Sequence, residues 1–199
     1  VELEAGVLEE GDSAPPLALT PDLTRAPGDE GTPAEADPDD EAALQAELAA
    51  AQARVAAQPD DLRAQRRLYI ALRRLGDHWV TRGRSEDALA CFEQARDVAE
   101  VQMQRAPDNP DAQFDLGIAL ERIGDIRFAH GDLAASEAAY RARHALIEAL
   151  ARRDSANTEW QRDLAASHTK IGDVLRDQGD GSAALAAYRQ SLALREILA

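Results

Sequence analysis

Cysteine occurs once in the 199 residues, at Cys91. A single thiol excludes an internal disulfide framework and a cysteine-rich zinc site. Aromatic residues make up only 4% of the chain. Any core must therefore rest on Ala, Leu, Ile and Val, which suits close-packed helices better than a β-sandwich or barrel. Lys170 is the only lysine, and arginine supplies the rest of the positive charge. Together with the abundant alanine, that bias has the look of a GC-rich bacterial genome. No apolar run approaches the ~18 residues of a membrane-spanning helix, so no membrane insertion is expected. No basic segment followed by an apolar one opens the chain, so no signal peptide is read and a cytoplasmic location is expected. The first residue is Val1, which fits a chain processed or cut from a longer one.

Positive charge is also short. The net charge is −15, which argues against nucleic-acid binding and against docking on an anionic membrane. A basic protein partner stays open. Residues 1–40 hold twelve acidic residues against Arg25 alone, and six of the nine prolines. Such a segment buries too little apolar area to offset its ordering entropy. We expect a disordered acidic linker over 1–40. A short helix over Val1–Glu10 and docking of Leu17-Ala18-Leu19 are weaker expectations.

What the rest of the chain has in abundance is repetition. Leu75-Gly76-Asp77, Ile123-Gly124-Asp125 and Ile171-Gly172-Asp173 are one triplet repeated every 48 residues. Gly83, Gly131 and Gly179 keep the same register, as do Phe92, Tyr140 and Tyr188, and Gln65, Gln113 and Gln161. Many columns agreeing on one period signify an array of like units. The boundaries read as a half repeat 41–59 and repeats 60–107, 108–155 and 156–199.

Each unit reads as two helices. Leu68, Leu72 and Leu75, like Leu116, Leu120 and Ile123, fall at helical spacing. The first glycine lies inside the first helix, where it costs ~1 kcal/mol against alanine and so needs a packing reason. The alanine-rich face of the second helix is the expected reason. The second glycine suits a left-handed helix end, followed by Ser85, Asp132 or Asp180 as the next cap. Asn109-Pro110 is a cap and first-turn pair. Helices are expected near 41–58, 61–82, 85–105, 109–130, 133–152, 157–178 and 182–198. Stacked hairpins of this kind form an all-α, right-handed α-solenoid with one concave face.

These residues resemble the tetratricopeptide repeat family. The resemblance rests on Leu75, Gly76, Trp79, Ala88 and Phe92, on Ile123, Gly124, Arg127, Ser136 and Tyr140, and on Ile171, Gly172, Leu175, Ala184 and Tyr188. It covers residues 41–199. The family's usual unit is shorter than 48 residues, and the long unit looks like the extended repeats of multidomain bacterial proteins. Arg127 stands at a family core position, and Leu72, Leu120 and His168 replace its usual aromatic. The resemblance implies binding of a protein or peptide on the concave face, as an interaction scaffold with no enzymatic activity and no cofactor.

In the family the first helix of each hairpin lines that face. Carried onto this chain, the partner-binding residues are Arg66, Arg73, Asp77 and Val80, then Phe114, Glu121, Asp125 and Phe128, then Arg162, Thr169, Asp173 and Arg176. The aspartates Asp77, Asp125 and Asp173 form a column that would favour a cationic ligand. They would equally be neutralised by Arg74, Arg122 and Lys170, three residues before each. Phe114 and Phe128 read either as exposed anchors for a peptide side chain or as core packing, Trp79 as a core residue, and Trp160 as a contact between repeats.

Catalytic signals are lacking. His78, His130, His144 and His168 fall in four different columns, and no pair has metal-ligand spacing. Cys91 shares a small-residue column with Ala139 and Ala187 and reads as a buried, inert thiol. No phosphate-binding glycine loop or nucleophile elbow is present. Three alternatives to a plain scaffold remain. The chain would be the regulatory part of a larger enzyme or signalling protein. It would self-associate as a homo-oligomer through Leu194, Ile197 and Leu198 of its last helix. Or its acidic tail would lie in the groove against Arg66, Arg73 and Arg162.

Overall fold

The computed structural model describes the backbone of residues 38–198. Nearly all of the expected acidic linker, the Val1–Glu10 helix and the tail-in-groove contact lie outside these residues. Among the described residues seven helices follow one another: α1 Pro38–Ala57, α2 Leu62–Thr81, α3 Ser85–Arg105, α4 Pro110–Ala129, α5 Leu133–Arg153, α6 Thr158–Asp177 and α7 Gly181–Ile197. Each packs on the next in chain order. The described residues form an all-α solenoid of antiparallel hairpins, with no strand among them. The first helix begins three residues before its expected start, at Pro38, a residue type compatible with a first helical turn.

Caps set the helix boundaries. Asn109 and Asn157 accept backbone N–H bonds at the starts of α4 and α6, and Asp61, Asp132 and Asp180 do so for α2, α5 and α7. Ser85 does not cap α3. Its hydroxyl instead meets His130 Nε2 at 2.9 Å, and Arg84 holds the cap position without a side-chain bond. The register explains this correction: Arg84, not Ser85, lies 48 residues before Asp132. Gly83, Gly131 and Gly179 have φ of 70°, 76° and 87°, the left-handed turn that an L side chain rarely adopts. The glutamine column braces the loops between units, with Gln65 donating to the Pro59 carbonyl at 2.6 Å and Gln113 to that of Pro107 at 2.7 Å.

The first glycine of each unit is explained by a ring rather than by alanines. A Cβ on Gly76 would lie 2.7 Å from the Phe92 ring, one on Gly124 2.5 Å from that of Tyr140, and one on Gly172 2.6 Å from that of Tyr188. The aromatic sixteen residues on packs against the bare backbone of the glycine. That contact locks the two helices of each hairpin together. The core is a strip along the helix junctions. Leu75, Trp79, Cys91, Phe92, Ile123 and Ile126 fill one stretch, and Tyr69, Leu72, Ala95, Ala99 and Leu116 another. Burying a side chain such as Phe92 or Leu72 contributes roughly 2–3 kcal/mol. Cys91 is buried, and that burial pushes its thiol pKa up.

Candidate partner-binding surface

Helices α2, α4 and α6 form one row, in which direct side-chain ties link each helix to the next but one. Arg66 of α2 meets Asp111 and Asp115 of α4, at 2.8 and 3.3 Å. Tyr69 donates its hydroxyl to the Asp115 carbonyl at 2.8 Å. Arg122 of α4 reaches back to Asp77 of α2 at 3.2 Å. Lys170 of α6 reaches back to Asp125 at 2.6 Å and to Glu121 at 3.5 Å, both on α4. Among the described residues no hydrogen bond or ion pair joins α3 to α5 or α5 to α7.

The aspartate column is therefore paired, but not as expected. The cation three residues upstream does not neutralise its own aspartate. Arg122 and Lys170 each serve the aspartate 45 residues earlier, one repeat back. Arg74, with no described helix before it in this row, pairs with Glu47 of α1 instead. An i,i+3 pair lies along one helix, whereas a long side chain at this angle spans the gap to the neighbouring helix and ties two units.

Each aspartate also takes a local donor. Tyr140 and Tyr188 donate their hydroxyls to Asp125 and Asp173 at 2.6 and 2.8 Å. Phe92 has no hydroxyl to offer Asp77, and Arg73 donates there at 3.3 Å. Burial first, and then the adjacent carboxylate, push the Tyr188 pKa up to about 12. The same causes hold Tyr140 well above the ordinary tyrosine range. Both phenols thus stay protonated donors.

The remaining expected residues divide into tied and free. Glu121 is held by Arg143 and Lys170. Thr169 donates to the Ala165 carbonyl, meets Ser191 Oγ at 2.9 Å and accepts from Arg195. Arg176 pairs with Asp173 and Asp177. Phe128 is not an exposed anchor: it packs on the core formed by Tyr140, Ile171, Val174 and Leu175. Phe114 is half-buried and makes no ring contact, Val80 is 48% exposed, and Arg162 is exposed without an ion pair among the described residues. Arg127, at the family's core position, turns its guanidinium to Glu93 at 3.1 Å.

Two groups escaped the sequence reading. Arg143 is a buried guanidinium, 4% exposed, between Glu121 at 3.0 Å and Asp163 at 3.1 Å. Burial pushes the Asp163 pKa up, against the opposing pull of Arg143. Its signal was in the register, for a long charged side chain stands in the column of Ala95 and Ser191. His144 and His168, far apart in sequence, meet with ring centroids 4.5 Å apart and planes tilted by 59°, and His144 Nδ1 meets Ser167 Oγ at 2.8 Å. Burial lowers both imidazole pKa values. Among the described residues no three His, Cys, Asp or Glu side chains are grouped to hold a metal ion, and no helix is long and apolar enough to cross a membrane.

No protein-family model matches the sequence, and no curated protein matches it. The chain is similar to the solved structure of BtubC (BKLC) from P. vanneervenii, at 13% identity over 80% of this chain and 91% of that one, with a TM-score of 0.40. It is similar to MamA, at 13% identity over 79% and 92%, with a TM-score of 0.34. It is also similar to a de novo designed helical repeat protein, DHR64, at 13% identity over 81% and 84%, with a TM-score of 0.37. The helices and their packing, rather than these overlaps, define the fold.

Proposed function

We propose that this chain is a tetratricopeptide-like interaction scaffold that holds a protein or peptide partner on the row α2–α4–α6. One observation carries this reading. Cross-repeat ties set the spacing of the row, yet leave Val80, Phe114 and Arg162 uncommitted on it. Side chains already held in place cost little entropy when a partner docks, and a free aromatic and a free arginine are the residue types that dominate binding energy. The tied row is the concave one in this proposal, because direct ties draw its helices together. The aspartate column builds the surface rather than reading the ligand. A cationic partner is therefore selected, if at all, by the overall charge of −15. Catalysis is not part of the proposal.

The test is capture of partners from native lysate with the full chain as bait. Phe114→Ala and Arg162→Ala run beside an Asp77→Ala/Asp125→Ala/Asp173→Ala variant, after circular dichroism shows each folded. A partner lost with Phe114→Ala and Arg162→Ala supports the proposal. A partner retained by both overturns it.

Self-association is a second reading, favoured by exposed apolar residues on α7. These are Leu185, Leu192 and Ile197, at 49, 56 and 82% exposure. Leu194 and Leu198, expected at this contact, are half-buried. Light scattering on the wild type and a Leu185→Ser/Leu192→Ser variant decides it. A mass that stays monomeric at all concentrations ends this second reading.

A further inference from the structure

Among the described residues the groove between α1 and α2 is uncovered, whereas its counterparts inside the array are filled. Between α3 and α4 the equivalent positions, including Cys91, Phe92 and Ala99, are buried under α2. Forty-eight residues earlier stand Ala43, which is exposed, Leu44, which packs partly on the core, and the buried Ala51; they border cavities of about 370 and 380 Å³. Among the described residues no helix covers them.

The charge on this face is reversed relative to the interior. On α4, Asp111 and Asp115 hold Arg66 of the preceding helix. On α6 the same columns carry Glu159 and Asp163. On α2 they carry Arg63 and Arg67. Arg54 of α1 and Arg67 line the second cavity together with Glu47, Ala51 and Ile70. All three arginines are exposed and make no ion pair among the described residues. Two unpaired guanidiniums at the cavity, with that of Arg63 one turn away on α2, stand out in a chain with a net charge of −15.

We propose that the α1–α2 groove binds an acidic amphipathic helix of a partner protein, seated as α2 is seated on α3 and α4. The interior contact specifies that helix. The position equivalent to Arg66 must be acidic, to meet Arg63 and Arg67. The position equivalent to Asp77, eleven residues later, must also be acidic, to share Arg74 with Glu47 of α1. Apolar residues between them face Leu44, Ala51 and Ile70. A second copy of this chain fits less well. The last described helix, α7, belongs to the same row as α1, so stacking end to end would set two helices on one site.

The probe is a labelled 20-residue peptide copying α4, residues 110–129, with Phe114→Glu. This places acids at both required positions, the second being Asp125. A Phe114→Arg peptide is the comparison. Binding to the full chain is read by fluorescence anisotropy at low and high salt. The glutamate peptide is expected to bind on the order of tenfold more tightly than the arginine peptide, with the gap shrinking as salt rises. Arg67→Glu in the protein is expected to reverse the order. Arg67 has no folded-state ion partner among the described residues, and circular dichroism checks that the variant folds. Equal binding of the two peptides, no binding, or an order unchanged by Arg67→Glu overturns the proposal. So does concentration-dependent self-association that Arg67→Glu abolishes, which would make a second copy the occupant. Arg54, Arg63 and Arg67 do not enter the test of the α2–α4–α6 surface, so the two proposals fail separately.

Discussion

The first hairpin, α2–α3, and the second, α4–α5, share a backbone plan but satisfy the same carboxylate differently. Asp125 has a phenol, Tyr140, and a lysine from the next repeat. Asp77 faces Phe92, which has no hydroxyl, and takes two guanidiniums instead, Arg73 and Arg122. The second hairpin also buries Arg143, where the first has Ala95. The two differ in the identity of the donors and agree in the geometry. A repeat array thus holds a carboxylate register constant while its partners change, provided each lone pair finds a donor.

Exchanging residues between the hairpins tests that lesson. The largest effect is expected from Arg143→Ala, which gives the second hairpin the alanine of the first. It strands Glu121 and Asp163 without their shared cation, and a loss of about 2–3 kcal/mol is expected in urea unfolding. Ala95→Arg in the first hairpin has no acid pair prepared for it and should not restore the balance. Next comes Gly124→Ala. A methyl 2.5 Å from the Tyr140 ring overpacks the contact, with an expected net cost of about 1–3 kcal/mol despite the better helix propensity of alanine. Gly76→Ala should cost about the same, because the ring contact is common to both hairpins. Tyr140→Phe makes the second hairpin like the first, and about 1 kcal/mol should be lost with the bond to Asp125.

The smallest effect concerns pH. Burial lowers the folded-state pKa values of His144 and His168, so the unfolded chain binds more protons below about pH 6.5. Stability should therefore fall as pH drops from about 7.5 to about 5.5, a slope read from thermal melts. Glu148 opposes the shift at both rings, while Arg141, Arg143 and Arg152 reinforce it at His144. His168→Leu installs the residue found at Leu72 and Leu120 and should flatten the slope. An unchanged slope would assign the pH dependence to other groups.

Most of the architecture was legible from periodicity. Seven helices, the left-handed glycines, the buried Cys91 and the buried Trp79 all follow from patterns local to one helix or one turn. The site was less legible, because its determinants join residues about one repeat apart. A helical wheel places Arg122 beside Asp125, yet only the stacking angle decides that Arg122 serves Asp77. The ring on each glycine was missed for the same reason. The glycine and the aromatic were both in the register, but the side of the helix on which they meet was not. Phe128 was left open between anchor and core because an aromatic on the row of α4 can turn either outward or into the next hairpin, and the core of α6 and α7 takes it.

The most direct measurement is a double-mutant cycle on the aspartate column. Asp125→Ala and Lys170→Ala are made singly and together, beside Asp125→Ala with Arg122→Ala, and unfolding free energies are compared. If the column ties one repeat to the next, Asp125 and Lys170 should couple by about 0.5–1 kcal/mol, with coupling near zero between Asp125 and Arg122. Coupling concentrated in the Asp125–Arg122 pair would contradict the account, because it would make the aspartates a property of single helices rather than the ties of the array.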